Sequence, residues 1–424
     1  MQRRRTTREE GAAVELGETA RIRPAPGGGT GTVVPGRLTH AGPGFRLARH
    51  RAPSRPHRTE VLELALWAAG AVPSPPAADR AGQRLAVGPG CGPRPGDDAL
   101  ARALRAVRGA RQRQFLGRYA EATALADTAL LWARRAGSDP ARVTALRVLG
   151  VSLWQGPEPV AAVVPRLRAL LEEHGEGRPS ARLALVGPLA VLYGMRESWA
   201  PARTALVLAR AVAMEVDPGA GGVLSSVLAA RVESLAGRAR EAVHLMEEAA
   251  DTADALGLDR LREAVRWAVV RLLTDAGRYE EAARWLPGNG PRAPRAGDEH
   301  RSTLPVGGAG PTGLTARIAA AGGCAGEAMV LAGRAVDEAA ATDSPTVQAL
   351  ARLDQAEVFG LAGRHDEARR AVSLAGCGFA RKGHVPGVSD AAARHAALAP
   401  ARAPGGRSPG GMPPISVPVR DAVG

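Results

Sequence analysis

Arginine recurs at one position of a repeated sequence pattern, and its spacing could support binding chemistry. Arg231, Arg271 and Arg317 each stand six residues before the anchor of a recurring motif, at intervals of 40 and 46 residues. A guanidinium group forms two parallel hydrogen bonds to a carboxylate or phosphate, so a row of three could bind an acidic or C-terminal peptide. Trp267 lies one helical turn before Arg271 and is expected beside it.

Residues that could perform catalysis or hold a metal are not arranged for either role. The nine histidines are scattered, and no serine or cysteine nucleophile can be paired with a base. The three cysteines, Cys91, Cys324 and Cys377, have no metal-ligand spacing. Lys382 is the only lysine, so the lysine-bearing phosphate loop of ATPases is not present in the sequence. We therefore expect no enzyme activity, no cofactor and no metal.

A repeat of close to 40 residues positions these arginines. Clear copies of a Gly-Arg…Glu-Ala motif read FLGRYAEAT, LAGRAREAV, TDAGRYEEAA and LAGRHDEARR, with weaker copies between them. Successive anchors are 39, 41, 40, 40, 46 and 40 residues apart, at Gly117, Gly156, Glu197, Gly237, Gly277, Gly323 and Gly363. A fixed period of this length indicates a stacked repeat architecture.

Alanine at fixed places in each copy predicts two closely packed helices per repeat. Every copy has alanine five residues after the anchor, and most have it twelve after and seven before. Apolar residues between these alanines recur at three and four residues, the period of a buried helix face. The anchor glycine suits the left-handed turn that ends a first helix, and an acid four residues later suits the first turn of a second. Capping side chains before a proline occur between hairpins, in Ser138-Asp139-Pro140 and Asp343-Ser344-Pro345.

This pattern resembles the tetratricopeptide repeat (TPR), in which antiparallel helix pairs stack into a right-handed superhelix. More narrowly, LWQGPEPVAAVVPRLRALLEE, AVLYGMRESWAPARTALVLARA and LLTDAGRYEEAARW resemble the C-terminal repeat region of bacterial adenylate/guanylate cyclase-type signal-transduction ATPases. The resemblance covers residues 97–398 and implies an all-α solenoid of about seven helix pairs. It also implies that the first helix of each pair lines a concave groove. Arg231, Arg271, Arg317 and Trp267 would then form a partner-binding site on the wall of that groove.

The chain outside the repeats has a different composition. Residues 1–96 are rich in proline, glycine and arginine and are expected to be mostly disordered, with a candidate helix at 59–70. Residues 97–286 would form a first array of repeats and 312–398 a second, joined by a Pro/Gly linker or loop at 287–311. Residues 399–424 are expected to be a disordered tail.

The formal net charge of +14 is not concentrated in the repeats. Residues 1–60 hold 12 Lys+Arg against 5 Asp+Glu, whereas residues 96–286 hold 26 against 23. The basic N-terminal arm could contact polyanions without specificity. The sequence shows no DNA-binding helix pair, so we expect no specific nucleic-acid recognition. The sequence shows neither an apolar signal segment nor a run of about 18 apolar residues, so we expect a cytoplasmic chain with no membrane partner.

Three classes of function are compared. The favoured hypothesis is a non-catalytic scaffold for protein–protein interaction, a regulatory or sensory TPR module of a bacterial signalling system. It would bind a protein or peptide in its groove, and the row of arginines favours an acidic one. An alternative is the effector-sensing region of a large bacterial transcriptional regulator lacking its DNA-binding domain. An enzyme with an active site inside the array is not supported by any residue pattern.

Overall fold

A computed structural model describes residues 55–70, 95–286 and 309–398. All of these belong to one compact unit, Ala52–Gly424. Within the described ranges every regular element is an α-helix and no strand occurs, which confirms the predicted all-α class. Of the segments predicted to be disordered, residues 1–54, 71–94 and 399–424 lie outside the described residues, as do residues 287–308 of the predicted linker at 287–311. Helices already begin at Pro95 and Ala309, slightly earlier than the predicted starts of the two arrays.

The described residues form sixteen helices, which we number in chain order. They are α1 Arg55–Ala68, α2 Pro95–Phe115, α3 Tyr119–Arg135, α4 Asp139–Gln155, α5 Val160–His174, α6 Pro179–Met195, α7 Trp199–Val216, α8 Pro218–Leu235, α9 Ala239–Ala255, α10 Asp259–Asp275, α11 Tyr279–Trp285, α12 Ala309–Ala321, α13 Ala325–Ala340, α14 Pro345–Leu361, α15 His365–Lys382 and α16 Val385–Ala397.

Fourteen of these helices form seven consecutive pairs, from α2–α3 to α14–α15, and each pair is joined by a turn of a few residues. Such short connections make the two helices of a pair antiparallel. Most first helices also contact the first helix of the next pair, as α4 does with α6 and α12 does with α14. The predicted solenoid of about seven helix pairs is therefore confirmed.

The alanine column explains how closely the pairs approach. Six of its seven members have no exposed surface: Ala122, Ala202, Ala242, Ala282, Ala328 and Ala368. The exception is Ala161 in the second pair, which is exposed, while Val160 beside it is fully buried. A larger side chain at the buried positions would separate the two backbones of a pair.

Anchor residues end the first helices in the left-handed conformation in six of the seven pairs. Five of them are glycines with φ between 71° and 85°: Gly117, Gly237, Gly277, Gly323 and Gly363. Glu197 holds the same place in the third pair with φ 58°, the one positive φ of a non-glycine residue in the described part of the chain. Gly156 departs from this rule, because its φ of −73° and ψ of −179° are extended.

The C-terminal part of the array returns to contact the first three pairs, and we call these interactions the return contacts. Helix α14 packs against α4, and α16 packs against α6. The ammonium group of Lys382 donates hydrogen bonds to the carbonyl oxygens of Leu153 (3.0 Å), Gly156 (2.7 Å) and Glu158 (2.8 Å). The extended Gly156 therefore presents its carbonyl to this lysine in place of forming the usual helix-ending turn.

A second return contact caps a helix across the chain. The carboxylate of Asp343, between α13 and α14, accepts hydrogen bonds from the backbone N–H groups of Tyr119 (2.9 Å) and Ala120 (2.8 Å) at the start of α3. The N–H of Asp343 donates to the carbonyl of Gly117 at 3.0 Å. An acid at a helix N-terminus satisfies free donors and complements the helix dipole. Asp343 thus binds α3 of the first pair, while Ser344 caps its own helix α14.

The left-handed conformation of Glu197 predicts a stabilising substitution. We expect Glu197→Gly to raise the free energy of unfolding by about 0.5–1 kcal/mol, because glycine removes the left-handed penalty but adds entropy to the unfolded chain. Arg196→Gly, at a neighbouring position with negative φ, should instead lower stability. Urea unfolding followed by circular dichroism measures both variants, and equal shifts of the same sign would contradict the prediction.

His384 predicts a pH dependence of stability. Its Nδ1 accepts a hydrogen bond from the Gly387 N–H at 2.9 Å and caps α16, and burial lowers the pKa of His384 to about 4. Between pH 6.5 and 4 the imidazole of His384 is protonated in the unfolded chain but neutral in the folded chain. The stability that neutral His384 contributes is therefore present above pH 6.5 and is lost as the pH falls. From pH 7.5 to 5 the loss should be about 2 kcal/mol.

His384→Asn keeps a capping side chain but cannot titrate, so it serves as the matched control. We expect urea unfolding of the variant to lack the part of the acid dependence that the histidine supplies. Identical pH profiles of wild type and variant would show that His384 does not hold this role.

Candidate functional site

Helix α1 belongs to no pair and packs against the first helices of four pairs, α4, α6, α8 and α10, and against α7. First helices of distant pairs contact each other through the return contacts, so this side of the pairs faces inward. We call the surface of α4, α6, α8 and α10 that faces α1 the groove. Repeat arrays of this kind use such inward surfaces for binding. The groove is therefore the candidate functional site, and α1 is a helix bound in it.

Apolar side chains seat α1 in the groove. Val61, Leu64, Ala65 and Ala68 follow the i, i+3, i+4, i+7 spacing of one helix face, and each is at most 1% exposed. All four belong to the main apolar cluster of the array, which joins α1 with residues from α2 to α12. Trp67 meets the ring of Tyr119 edge-on at 6.1 Å between centroids.

Glycine in the groove makes room for the central leucine of α1. A Cβ atom placed on Gly187 of α6 would come within 3.1 Å of Leu64 Cδ2. That distance is closer than ordinary van der Waals contact, so the Leu64 side chain would have to move slightly to admit even a methyl group. The groove wall and the helix in it therefore fit each other at this point.

An acidic side chain of α1 lies between two arginines of the array. Glu63 Oε1 is 2.5 Å from Arg111 Nη2, and its Oε2 is 3.0 Å from Arg147 Nη2. The three side chains are 17%, 24% and 10% exposed, respectively. Because the groups are only partly exposed, these charge-assisted bonds are screened less than pairs on an open surface.

The carboxyl end of α1 is held by a third arginine. Arg231 Nε donates a hydrogen bond to the carbonyl oxygen of Ala68 at 2.8 Å, and Ala68 is the last residue of α1. Carbonyl groups at a helix C-terminus carry partial negative charge, so a guanidinium group suits this place. Burial, and then the charge of Arg271, lower the pKa of Arg231 to about 10, so it remains charged at neutral pH.

Arg271 and Arg317 share a carboxylate within the chain. Both guanidinium nitrogens of Arg271 bind Asp354, one of them at 2.7 Å. Arg317 binds Asp275 at 2.5 Å, Asp354 at 3.2 Å and the carbonyl oxygen of Thr274 at 2.6 Å. Both guanidinium groups are therefore bound by aspartates of the array itself.

We call Arg271, Arg317, Asp275 and Asp354 the charge cluster, and the pKa values of Arg271, Arg317 and Asp275 favour their charged forms. Burial alone would lower the pKa of Arg271 and Arg317, but the carboxylates of Asp354 and Asp275 outweigh it and hold both above their ordinary value. Burial would likewise raise the pKa of Asp275, but the two arginines hold it below its ordinary value. Two cations and two anions thus compensate each other inside the array.

The interval of 46 residues does not separate Arg317 from Arg271, because both side chains bind the carboxylate of Asp354. Trp267 is half-buried and packs against the main apolar cluster. Binding of a partner protein by Arg231, Arg271, Arg317 and Trp267 stays a prediction.

The rest of the same column is also occupied within the chain. Arg111 binds Glu63, and Glu357 accepts a hydrogen bond from the Tyr279 hydroxyl at 2.8 Å and pairs with Arg394 at 3.3 Å. Gly150 lies so near α6 that a Cβ there would be 2.3 Å from the Ala184 carbonyl oxygen. The column therefore describes an inward surface that contacts the chain's own helices.

Three residues that complete these contacts were not predicted from the sequence: Glu63, Arg147 and Asp354. Arg147 and Asp354 each stand nine residues before their anchors, Gly156 and Gly363. In the third to sixth pairs this place holds an apolar residue, Pro188, Leu228, Ala268 or Leu314, and in the first pair it holds Arg108. A charge in this column was the signal that could have identified Arg147 and Asp354, although it would also have selected Arg108.

Other kinds of site find no support in the described ranges. No group of three or more His, Cys, Asp and Glu residues there could hold a metal ion. Among the same residues, none of the helices combines the length and apolar character needed to span a membrane. Comparison of the chain with protein-family models and with curated proteins finds no match.

The charge cluster predicts a large loss of stability when one anion is removed. Asp354→Ala should lower the free energy of unfolding by about 3–5 kcal/mol, because it leaves Arg271 and Arg317 with one carboxylate between them in a buried place. Adding Arg317→Leu should restore part of the loss by removing the uncompensated charge. Asp366→Ala, which alters a solvent-exposed ion pair, should leave the urea midpoint unchanged. A loss in the Asp354 variant no larger than in this control would contradict the assignment.

Proposed function

We propose that this chain is a non-catalytic scaffold for protein–protein interaction that binds a helical segment of a partner protein in the groove. The observation that carries the proposal is α1 itself, a helix outside the pairs that lies against α4, α6, α8 and α10. Recognition of an amphipathic helix by a groove is a recurring mode of peptide binding. The groove has the apolar wall and the charged residues which that mode requires.

Three features of the contacts between α1 and the groove define the segment that the groove would bind. Apolar side chains one and two turns apart fill the wall, as Val61, Leu64 and Ala68 do. An acidic side chain reaches Arg111 and Arg147, and a helix C-terminus meets Arg231. These are general properties of an acidic amphipathic helix, so a partner could supply them as α1 does.

The repeat motif supports a more specific role. Its Gly-Arg…Glu-Ala pattern, its alanine columns and the seven helix pairs agree with a TPR-like module. On this basis, together with the resemblance to cyclase-type signal-transduction ATPases, we propose a regulatory or sensory part in a bacterial signalling system. Such a module would act in the cytoplasm, bind a protein or acidic peptide, and need no cofactor.

The test uses the full chain with α1 weakened and a peptide in its place. Glu63→Arg sets a third positive charge between Arg111 and Arg147 and should loosen α1 without altering the repeats. A fluorescent peptide of residues 55–70 should then bind this variant saturably in an anisotropy titration. The same peptide carrying Leu64→Asp should bind at least about tenfold more weakly, since a buried anchor is lost.

A second peptide tests the charged part of the seat. The 55–70 peptide carrying Glu63→Arg should also bind the Glu63→Arg chain at least about tenfold more weakly than the unaltered peptide, because Arg111 and Arg147 repel it. Equal binding of all three peptides, or no saturable binding of the unaltered peptide, would show that the groove is not a helix-binding site.

A further inference from the structure

We infer that α1 is a built-in competitor, which occupies the groove until a partner helix with the same chemical pattern displaces it. The partner class is an amphipathic helix with an acidic side chain beside its central apolar anchor, as Glu63 stands beside Leu64. This inference rests on the proposed function and adds to it the chemistry of the partner and a means of regulation. In the structure the groove is held by the chain's own helix.

The array has contacts of its own that do not involve α1. The two helices of each pair pack together, and second helices contact the first helix of the next pair, as α9 does with α10. The return contacts of Lys382 and Asp343 join parts of the array to each other and not to α1. Removing α1 would therefore empty the groove while these contacts remain.

The chain between α1 and α2 is long enough for α1 to leave. Residues 71–94 amount to 24 residues, and an extended chain spans up to about 3.3–3.6 Å per residue, or roughly 80 Å in total. Covalent attachment therefore does not force α1 to remain in its seat. Within the described residues, its position depends on its contacts with the groove and with α7.

The charged side of α1 is the place where competition can begin. Its apolar anchors are almost completely buried, whereas Glu63 and Arg111 retain 17% and 24% exposure. An incoming carboxylate can reach Arg111 from solvent and take the place of Glu63 before the apolar face separates. Arg147, at 10% exposure, and Arg231 would then meet the incoming helix as they now meet α1.

Occupation of the groove by α1 has a quantitative consequence for binding. The apparent dissociation constant of a partner equals its intrinsic value divided by the fraction of molecules with an open groove. If α1 fills the groove in about nine of ten molecules or more, wild type binds a competing helix about tenfold more weakly than an opened chain. A variant that loosens only α1 should remove this difference.

The closing experiment compares three full-length chains with the fluorescent 55–70 peptide: wild type, Glu63→Arg and Glu248→Arg. Glu248 lies on α9 with its side chain 53% exposed and serves as the charge-matched control. We expect Glu63→Arg to bind at least about tenfold more tightly than the other two. In wild type, saturating peptide should speed hydrogen exchange of the backbone amides of residues 61–69, because α1 leaves its seat.

Each outcome decides the question. Equal affinity of wild type and Glu63→Arg would overturn the inference and leave the helix-binding function standing. Peptide binding to wild type without faster exchange in α1 would also overturn it, because the peptide would then bind elsewhere. No binding by any chain, with helical content unchanged by circular dichroism, would overturn the proposed function itself. Leu64→Ala, which weakens α1 without adding charge, gives the same comparison if Glu63→Arg does not fold.

Discussion

The charge cluster of Arg271, Arg317, Asp275 and Asp354, in which Arg317 and Asp354 are buried, is the interaction on which the inner surface depends. It draws one residue or more from α10, α12 and α14, and so it joins three helix pairs at one point. Charges taken out of water must be matched in number and geometry, since an unpaired one is costly. Gly313 is part of that match, because a Cβ on it would lie 2.5 Å from Asp354 Oδ2. The cluster thereby sets the relative position of the pairs on either side of residues 287–308.

One column of the repeat serves two purposes along the array. At one end it meets the array's own carboxylates, through Arg271 and Arg317, and at the other it meets α1, through Arg111 and Arg231. The first group is fixed by neighbouring repeats, and the second is fixed by a helix that belongs to none. The arginines that contact α1 therefore include Arg111 of α2 and Arg231 of α8, whereas Arg271 of α10 is bound by the scaffold itself.

Sequence alone predicted the fold well because its causes are local and repeated. The alanine column, the anchor glycines and the period each act within one pair or between adjacent pairs, and all three recur in the structure. Sequence also placed Arg231, Arg271 and Arg317 in one row. It could not supply what faces that row, because Asp354 lies 83 residues beyond Arg271 and Glu63 lies 48 before Arg111. The second pair departs from the pattern for a similar reason, since Gly156 meets Lys382, 226 residues away.

Open solenoids change length readily, because each unit contacts only its neighbours and an added copy extends the stack. This array is constrained differently: Lys382 of the seventh pair reaches the turn of the second, and Asp343 reaches the first. Duplicating or deleting one 40-residue unit would carry both side chains away from their acceptors and donors. The number of repeats is thus fixed by geometry, and relatives that keep these two contacts should vary in loop length and surface residues but hold the same count of units between them.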